Sequence, residues 1–241
     1  MSQVINLFQY TLLFAAPLLI VALAGCFAEK SGVINLALEG GMIIGAFGGA
    51  AFVFGILTAN EEAIFALQEA DIVAYTWLQQ GLFLGALLVA GIVGAIFSLL
   101  LSLAAIKFKC DQTIAGTALN LLAPAILLTL CLIIMNQEKL QMPATYNFVL
   151  VTTQNPGTNL LEIFTNKIYI STYICIALFI FLSIWMYKSK TGTHLRACGE
   201  HPQAAESVGI NVKKMRYLGT TLSGFLAGKA STTTVSSAPV K

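Results

Sequence analysis

Glu39 is the only acid well inside an apolar run, and Asn35 stands four residues before it. An ionisable group at membrane depth is costly unless it meets water or a partner. On a helix the two would share a face, about 9 to 12 Å along it for Glu39. Either they line a transport path or they make a structural hydrogen bond near the interface. Thr113, Thr117 and Asn120 fall at i, i+4 and i+7. They can line a cavity for a polar solute or act as interhelical hydrogen-bond glue, worth ~0.6 kcal/mol each. His194, Cys198 and His201 repeat that spacing beside Glu200, which are residue types that bind metal. Gly199 and Pro202 argue against one continuous helix there, and no second cluster completes four ligands, so no metal is expected. Gly41, Gly45 and Gly49 lie four apart in apolar sequence. A phosphate cradle would need a following Lys-Ser or Lys-Thr, so the stripe reads as a bare face for close helix packing. No P-loop and no ordered Ser/His/Asp or Cys/His set is present. Catalytic residues and cofactors are therefore not expected, and any ATP-driven process would need its ATPase on another chain.

The elements that must position these groups are membrane helices. Of 241 residues, 57% are hydrophobic and 10% charged, against about 25% charged in a soluble domain. Mean hydropathy is +0.82. A net charge of +2 without basic–aromatic interleaving argues against nucleic acid. The five cysteines are scattered and include no C-x-x-C pair, so neither a disulfide framework nor a zinc module is indicated.

The apolar runs predict an all-α polytopic transmembrane bundle with five full spans and a partial sixth. The spans are Thr11–Ala28, Val33–Ala59, Gly81–Ile106, a helix capped by Asp111 and running to about Met135, and Ile168–Tyr187. Gly91, Ala95, Ser98 and Ser102 give the third a small-residue face, and Pro124 should bend the fourth. Met1 to Tyr10 carry no basic residue, so the first helix is read as retained rather than as a signal peptide. Polar loops cover Asn60–Gln80 and Asn136–Lys167, the latter with turn signals at Gln154–Gly157 and a short amphipathic piece near Leu160–Phe164. Connections after helices one, three and five hold Lys30, Lys107, Lys109, Lys188, Lys190, Arg196, Lys213, Lys214 and Arg216. The opposite ones hold only Lys139 and Lys167, which places the N-terminus outside.

Lys190 to Tyr217 is the one long polar stretch with a basic balance. Pro202 suits a first helical position, Gly209 a left-handed C-terminal turn, and Asn211 the cap of the next helix. This is the grammar of a short folded element covering about Pro202 to Ser207. It serves either as an ordered cytoplasmic connection or as something for a partner to push against.

Gly192, Leu195-Arg196-Ala197, Gly199-Glu200, Pro202, Ala204-Ala205 and Gly209-Ile210 resemble the cytoplasmic coupling segment of ABC-importer permeases for branched-chain amino acids, simple sugars and nucleosides. Ser31–Gly40 (SGVINLALEG) is similar to that family's early motif in its sugar and nucleoside branch, and Asp111–Leu122 matches a third block. The resemblance covers about residues 28 to 228. It implies a permease domain over 1–228 with a coupling segment at 190–216. It implies ABC ATPase subunits docked on Arg196, Gly199, Glu200, Pro202, Ala205 and Gly209, and a solute path drawing on Asn35, Glu39, Thr117 and Asn120. It also implies a second permease subunit, identical or a sister, an extracytoplasmic solute-binding protein, surrounding membrane lipid, and a multi-pass place in a prokaryotic plasma membrane (the inner membrane if Gram-negative). The solute would be a sugar or nucleoside. The rival classes are a self-contained secondary transporter or channel, which would want more buried charge than Glu39, and a non-functional truncated fragment. The last follows from the end of the chain: Tyr217–Gly228 is expected as a partial helix, and 229–241, rich in Ser and Thr, as an irregular tail.

Overall fold

The computed structural model describes residues 2–60, 63–64, 66–67, 72–135 and 170–236, and every regular element among them is helical. The helices are α1 (Ser2–Lys30), α2 (Leu38–Ala59), α3 (Ile72–Ser102), α4 (Gln112–Met135), α5 (Ile170–Lys188), α6 (Lys190–Glu200), α7 (Pro202–Ser207) and α8 (Val212–Ser236). A π-helical turn, Leu103–Lys107, extends α3. Among the described residues three helical stretches are long and apolar enough to cross a membrane: Leu38–Ala59, Trp77–Lys107 and Gln112–Ile133. A fourth arises if Thr172–Lys188 and Lys190–Glu200 count as one broken span. The molecule is a helical membrane bundle.

α8 is its axis. It packs most extensively on α3, then on α1 and α2. Glycine makes this possible, because Gly224 and Gly228 lie against the backbone of Ala90 and Gly94 with no room for a methyl group. A second layer sets Ala16, Ile20, Leu23 and Phe27 of α1 against Met186 of α5, Leu195 of α6 and Leu226 of α8. The rings of Phe27 and Trp185 meet at 5.9 Å. On α3, Leu84, Leu88, Ile92, Ile96 and Leu100 fall four apart and are all exposed, the stripe expected of a face turned to lipid.

Three expectations give way to the structure. The second helix begins at Leu38, not Val33, so Asn35 precedes it and does not share its face with Glu39. α1 ends in a Schellman turn, with Gly32 at φ 83° and the Val33 N–H bonded to the Ala28 carbonyl at 3.3 Å. The next residues, 33–37, stay out of a helix, and side chains satisfy several of their backbone groups. The last helix does not stop at Gly228; it runs through Lys229 and a fully buried Ala230 to Ser236, so 229–236 are helical rather than irregular. Close packing on α3 and α1 outweighs the weak helix preference of its Ser and Thr residues. His194, Cys198 and His201 share no single helix, as expected, but the break is not at Gly199: α6 continues to Glu200, carrying His194 and Cys198, and His201 lies between it and the helix that Pro202 opens.

Other boundaries also shift. α1 extends beyond Thr11–Ala28 to Ser2–Lys30, α3 begins before Gly81 at Ile72, and the helix expected at Ile168–Tyr187 is Ile170–Lys188. Pro124 lies inside an unbroken α4. The expected turn at 154–157, the amphipathic piece at 160–164 and the last residues of the tail, 237–241, lie outside the described residues.

Candidate functional site

Residues 31–37 of the early motif form a non-helical connector held from three sides. Asn35 is buried at 5% exposure. Its Nδ2 donates to Ser223 Oγ at 3.0 Å and to Ser98 Oγ at 3.2 Å, while its Oδ1 accepts the Ala37 N–H at 3.1 Å. Ser98 Oγ in turn donates to the Thr220 carbonyl at 2.8 Å, and the Ser102 and Thr220 hydroxyls are hydrogen-bonded to each other. This chain of buried groups ties the connector to α3 and α8. Every such bond matters in a medium without water, where an unmade one costs about 1–3 kcal/mol.

The third side is α4. Asn120 Nδ2 donates to the Leu36 carbonyl at 2.7 Å, and its Oδ1 accepts the Gly40 N–H at 2.8 Å. One amide thus replaces the helical partners missing at the start of α2. Gln112 Oε1 accepts the Ile34 N–H at 2.8 Å. Asp111 caps α4 by accepting the Thr113 N–H at 2.7 Å. Thr113 and Thr117 are exposed on α4, and the Thr117 hydroxyl donates back to the Thr113 carbonyl at 2.9 Å. Glu39 is exposed in the first turn of α2, turned away from this chain's own bundle. An acid and two threonines therefore interrupt the apolar surface of the α2–α4 pair.

The polar segment forms an elbow at one end of the bundle. The chain bends 69° between α5 and α6 at Ser189, whose Oγ accepts the Gly192 N–H at 3.0 Å. α6 buries Gly192, Leu195 and Cys198. Gly199 lies on the Lys30 carbonyl and against Gly32, with the Arg216 guanidinium alongside. Arg196 folds back over the Tyr187 ring at 5.1 Å and donates from Nη2 to the Tyr187 carbonyl at 3.3 Å. α7 is the helix that Pro202 predicts, and it closes in a Schellman turn with Gly209 at φ 88°. There the Ile210 N–H reaches the Ala205 carbonyl at 3.0 Å. Asn211 Oδ1 then accepts the Lys214 N–H at 3.1 Å to start α8. Ala205 packs with Cys198 and Val212, whereas Gln203, Ala204, Glu206, Ser207 and Val208 are exposed. A shallow hollow of about 460 Å³ is lined by His201, Pro202, Gln203 and Ala204. Burial pushes the Cys198 thiol above its ordinary range; Arg216 works against that shift and Glu206 with it. Among the described residues no group of three or more His, Cys, Asp or Glu could hold a metal ion.

The structure thus brings Asn35, Asn120 and the first turn of α2 together, and sets Arg196, Gly199, Glu200, Pro202, Ala205 and Gly209 on the α6–α7 elbow. Sequence reasoning passed over Gln112, Thr220 and Ser223, and took Ser98 and Ser102 only as small. Their signal lay in small polar residues three or four apart on two helices, Ser98 with Ser102 and Thr220 with Ser223.

No solved structure matches this fold. The chain is 39% identical over 223 residues to the guanosine ABC transporter permease protein NupQ of Bacillus subtilis, covering 90% of this chain and 63% of the relative. It is 31% identical to the nucleoside ABC transporter permease protein NupC of Lactococcus lactis, with the same 90% and 63% shares. With the putative glucose ABC transporter permease protein TsgC13 of Haloferax volcanii the identity is 27%, over 95% of this chain and 62% of the relative. The chain therefore spans under two thirds of the length of these relatives. Residues 7–238 match the family model for the permease component of branched-chain amino acid transport systems, and the chain belongs to that family.

Proposed function

We propose that this chain is the membrane-spanning permease subunit of an ATP-driven importer for a small polar solute, a nucleoside first and a sugar second. The observation that carries the reading is the elbow. α6 leaves α5 at a bend of 69° and forms an ordered element with α7, and Gly199 presses it onto the turn that opens the early motif. An external subunit that moves such an element moves the bundle.

In this reading the N-terminus is outside, helices α1 to α5 span, α8 is the sixth, and the connections after α1, α3 and α5 face the cytoplasm. The basic residues of those connections favour that side. ABC ATPases dock on the exposed surface of α6 and α7, where Glu200, Pro202 and Gly209 are presented. Arg196, Gly199 and Ala205 shape the element from beneath. Glu39 and Thr117 line the solute path between this subunit and a second permease, and Asn35 and Asn120 fix the backbone that frames it. An exposed carboxylate on a lipid-facing surface would be costly, which favours a water-lined path beside Glu39. A solute-binding protein delivers the solute from outside.

The test is reconstitution of the chain with its ATPase, sister permease and binding protein in proteoliposomes, followed by uptake of radiolabelled guanosine and then glucose. Uptake that requires internal-face ATP and falls with Arg196→Ala supports the reading. Uptake driven by a proton gradient without any ATPase, and abolished by Glu39→Gln, would replace it with a secondary transporter.

A further inference from the structure

Three features of the connector between α1 and α2 stand together. At its start, Gly32 packs on Gly199 of α6, so any displacement of α6 bears directly on this turn. In its middle, Asn35 is anchored to Ser98 and Ser223, which gives the connector a fixed pivot on α3 and α8. On either side of Asn35 and into the first turn of α2, the backbone at Ile34, Leu36 and Gly40 is gripped by Gln112 and Asn120 of α4.

α4 is otherwise lightly held. Within this chain it packs mainly on α2, with only slight contact to α3 and the π-helical turn. Ile114, Leu121 and Ile133 on its other faces are exposed at 70% or more. The link from α3 to α4 is itself irregular. The Phe108 N–H bonds the Leu103 carbonyl five residues back, and Lys109 sits at φ 53°, where a non-glycine residue is uncommon. A helix with few packing partners, an irregular entry, two side-chain bonds to one short connector and a third to the first turn of α2 follows that connector. Single π-helical turns of this kind are frequent at functional sites.

We infer that the Ser31–Ala37 connector is a lever that carries the motion of α6 to α4, and that Gln112 and Asn120 are the positioning residues that make α4 follow. This deepens the permease reading and rests on it. Neither residue touches the ATPase or needs to touch the solute. Their work is to keep α4 registered on a connector that the coupling element pushes. Asn120 is the stronger of the two because its single amide takes both a carbonyl and an N–H across the start of α2.

The experiment uses the full chain with its ATPase and partner subunits in proteoliposomes, with radiolabelled guanosine as the probe. Uptake, ATP hydrolysis and ATPase co-purification are measured together. Spin labels at Leu121 on α4 and Ile96 on α3, both exposed, report the distance between the helices with and without trapped ATP. In the otherwise unaltered complex the distance changes on trapping. In the Gln112→Ala, Asn120→Ala double variant, ATPase co-purification and hydrolysis persist, uptake per ATP falls about tenfold or more, and the distance change is lost. Asn120→Asp keeps the acceptor for the Gly40 N–H and recovers part of the ratio. Gln112→Ala alone, on a half-buried side chain, lowers it about threefold without loss of protein. An unchanged uptake-per-ATP ratio in the double variant, or a distance change that survives in it, overturns the lever. If the unaltered complex shows no ATP-driven uptake, the permease reading falls and the lever with it.

Discussion

α6 and α7 lie next to each other in the chain, and both depend on glycine, for opposite reasons. α6 is pressed into the bundle. Gly199 has no room for a side chain, because a methyl group would overlap the Lys30 carbonyl. α7 buries only Ala205, against Cys198 and Val212, and leaves most of its surface exposed. Gly209 has nothing within 4 Å of where a Cβ would be, but its φ of 88° is one that other residues adopt only at a cost. One glycine is required by its neighbours and the other by its own backbone. The seam formed by α6 and the connector is therefore a place where stability resides. The α7 turn is a place where shape is held at little stability.

The sharpest way to break this contrast is Gly199→Val. Overpacking against main chain that cannot give way is expected to destabilise the bundle by about 3 kcal/mol, seen as a large drop in the melting temperature of the purified permease. A variant that melts normally would remove the seam from the argument. Asn35→Ala follows. It strips the partner from the buried Ser223 hydroxyl and the Ala37 N–H, at a cost of about 1–3 kcal/mol, and the same melting assay should register it. Should Asn35→Ala melt like the parent, the buried network does not anchor the connector.

Gly209→Ala tests the other half. The left-handed turn should cost about 1 kcal/mol, without steric clash. Melting should move little, while guanosine uptake per ATP hydrolysed should fall. A variant that melts as badly as Gly199→Val would erase the distinction between the two regions. The smallest effect concerns Cys198, which α6 packs against Ala205 of α7 with no exposure. Its thiol is raised above the ordinary value of 9.0, chiefly by burial. The fold therefore favours the neutral thiol, and this contribution is complete below that value and is lost as pH rises past it. A water-soluble maleimide at neutral pH should label exposed Cys110 readily and Cys198 only on unfolding. Rapid labelling of Cys198 in the folded protein would mean that α6 and α7 separate.

Some of this was legible in the residues alone. Pro202, Gly209 and Asn211 specify α7 and its exits because they act through local backbone geometry, which a sequence states directly. The apolar runs specify a membrane bundle because burial in lipid is an average property of about 20 residues. Other features were decided elsewhere. Val33 to Ala37 read as the start of a helix, since nothing local forbids one. What stops it is a set of partners 63 to 188 positions away, from Ser98 to Ser223. The tail read as too polar to hold a helix, yet α8 continues, because its small residues let it lie close on α3 and α1. Sequence settles what local geometry and average polarity can settle. Which side chain meets which backbone group across the bundle, and so whether Asn120 lines a path or holds a helix, belongs to the tertiary structure. Those bonds join positions that only the folded chain brings within 3 Å.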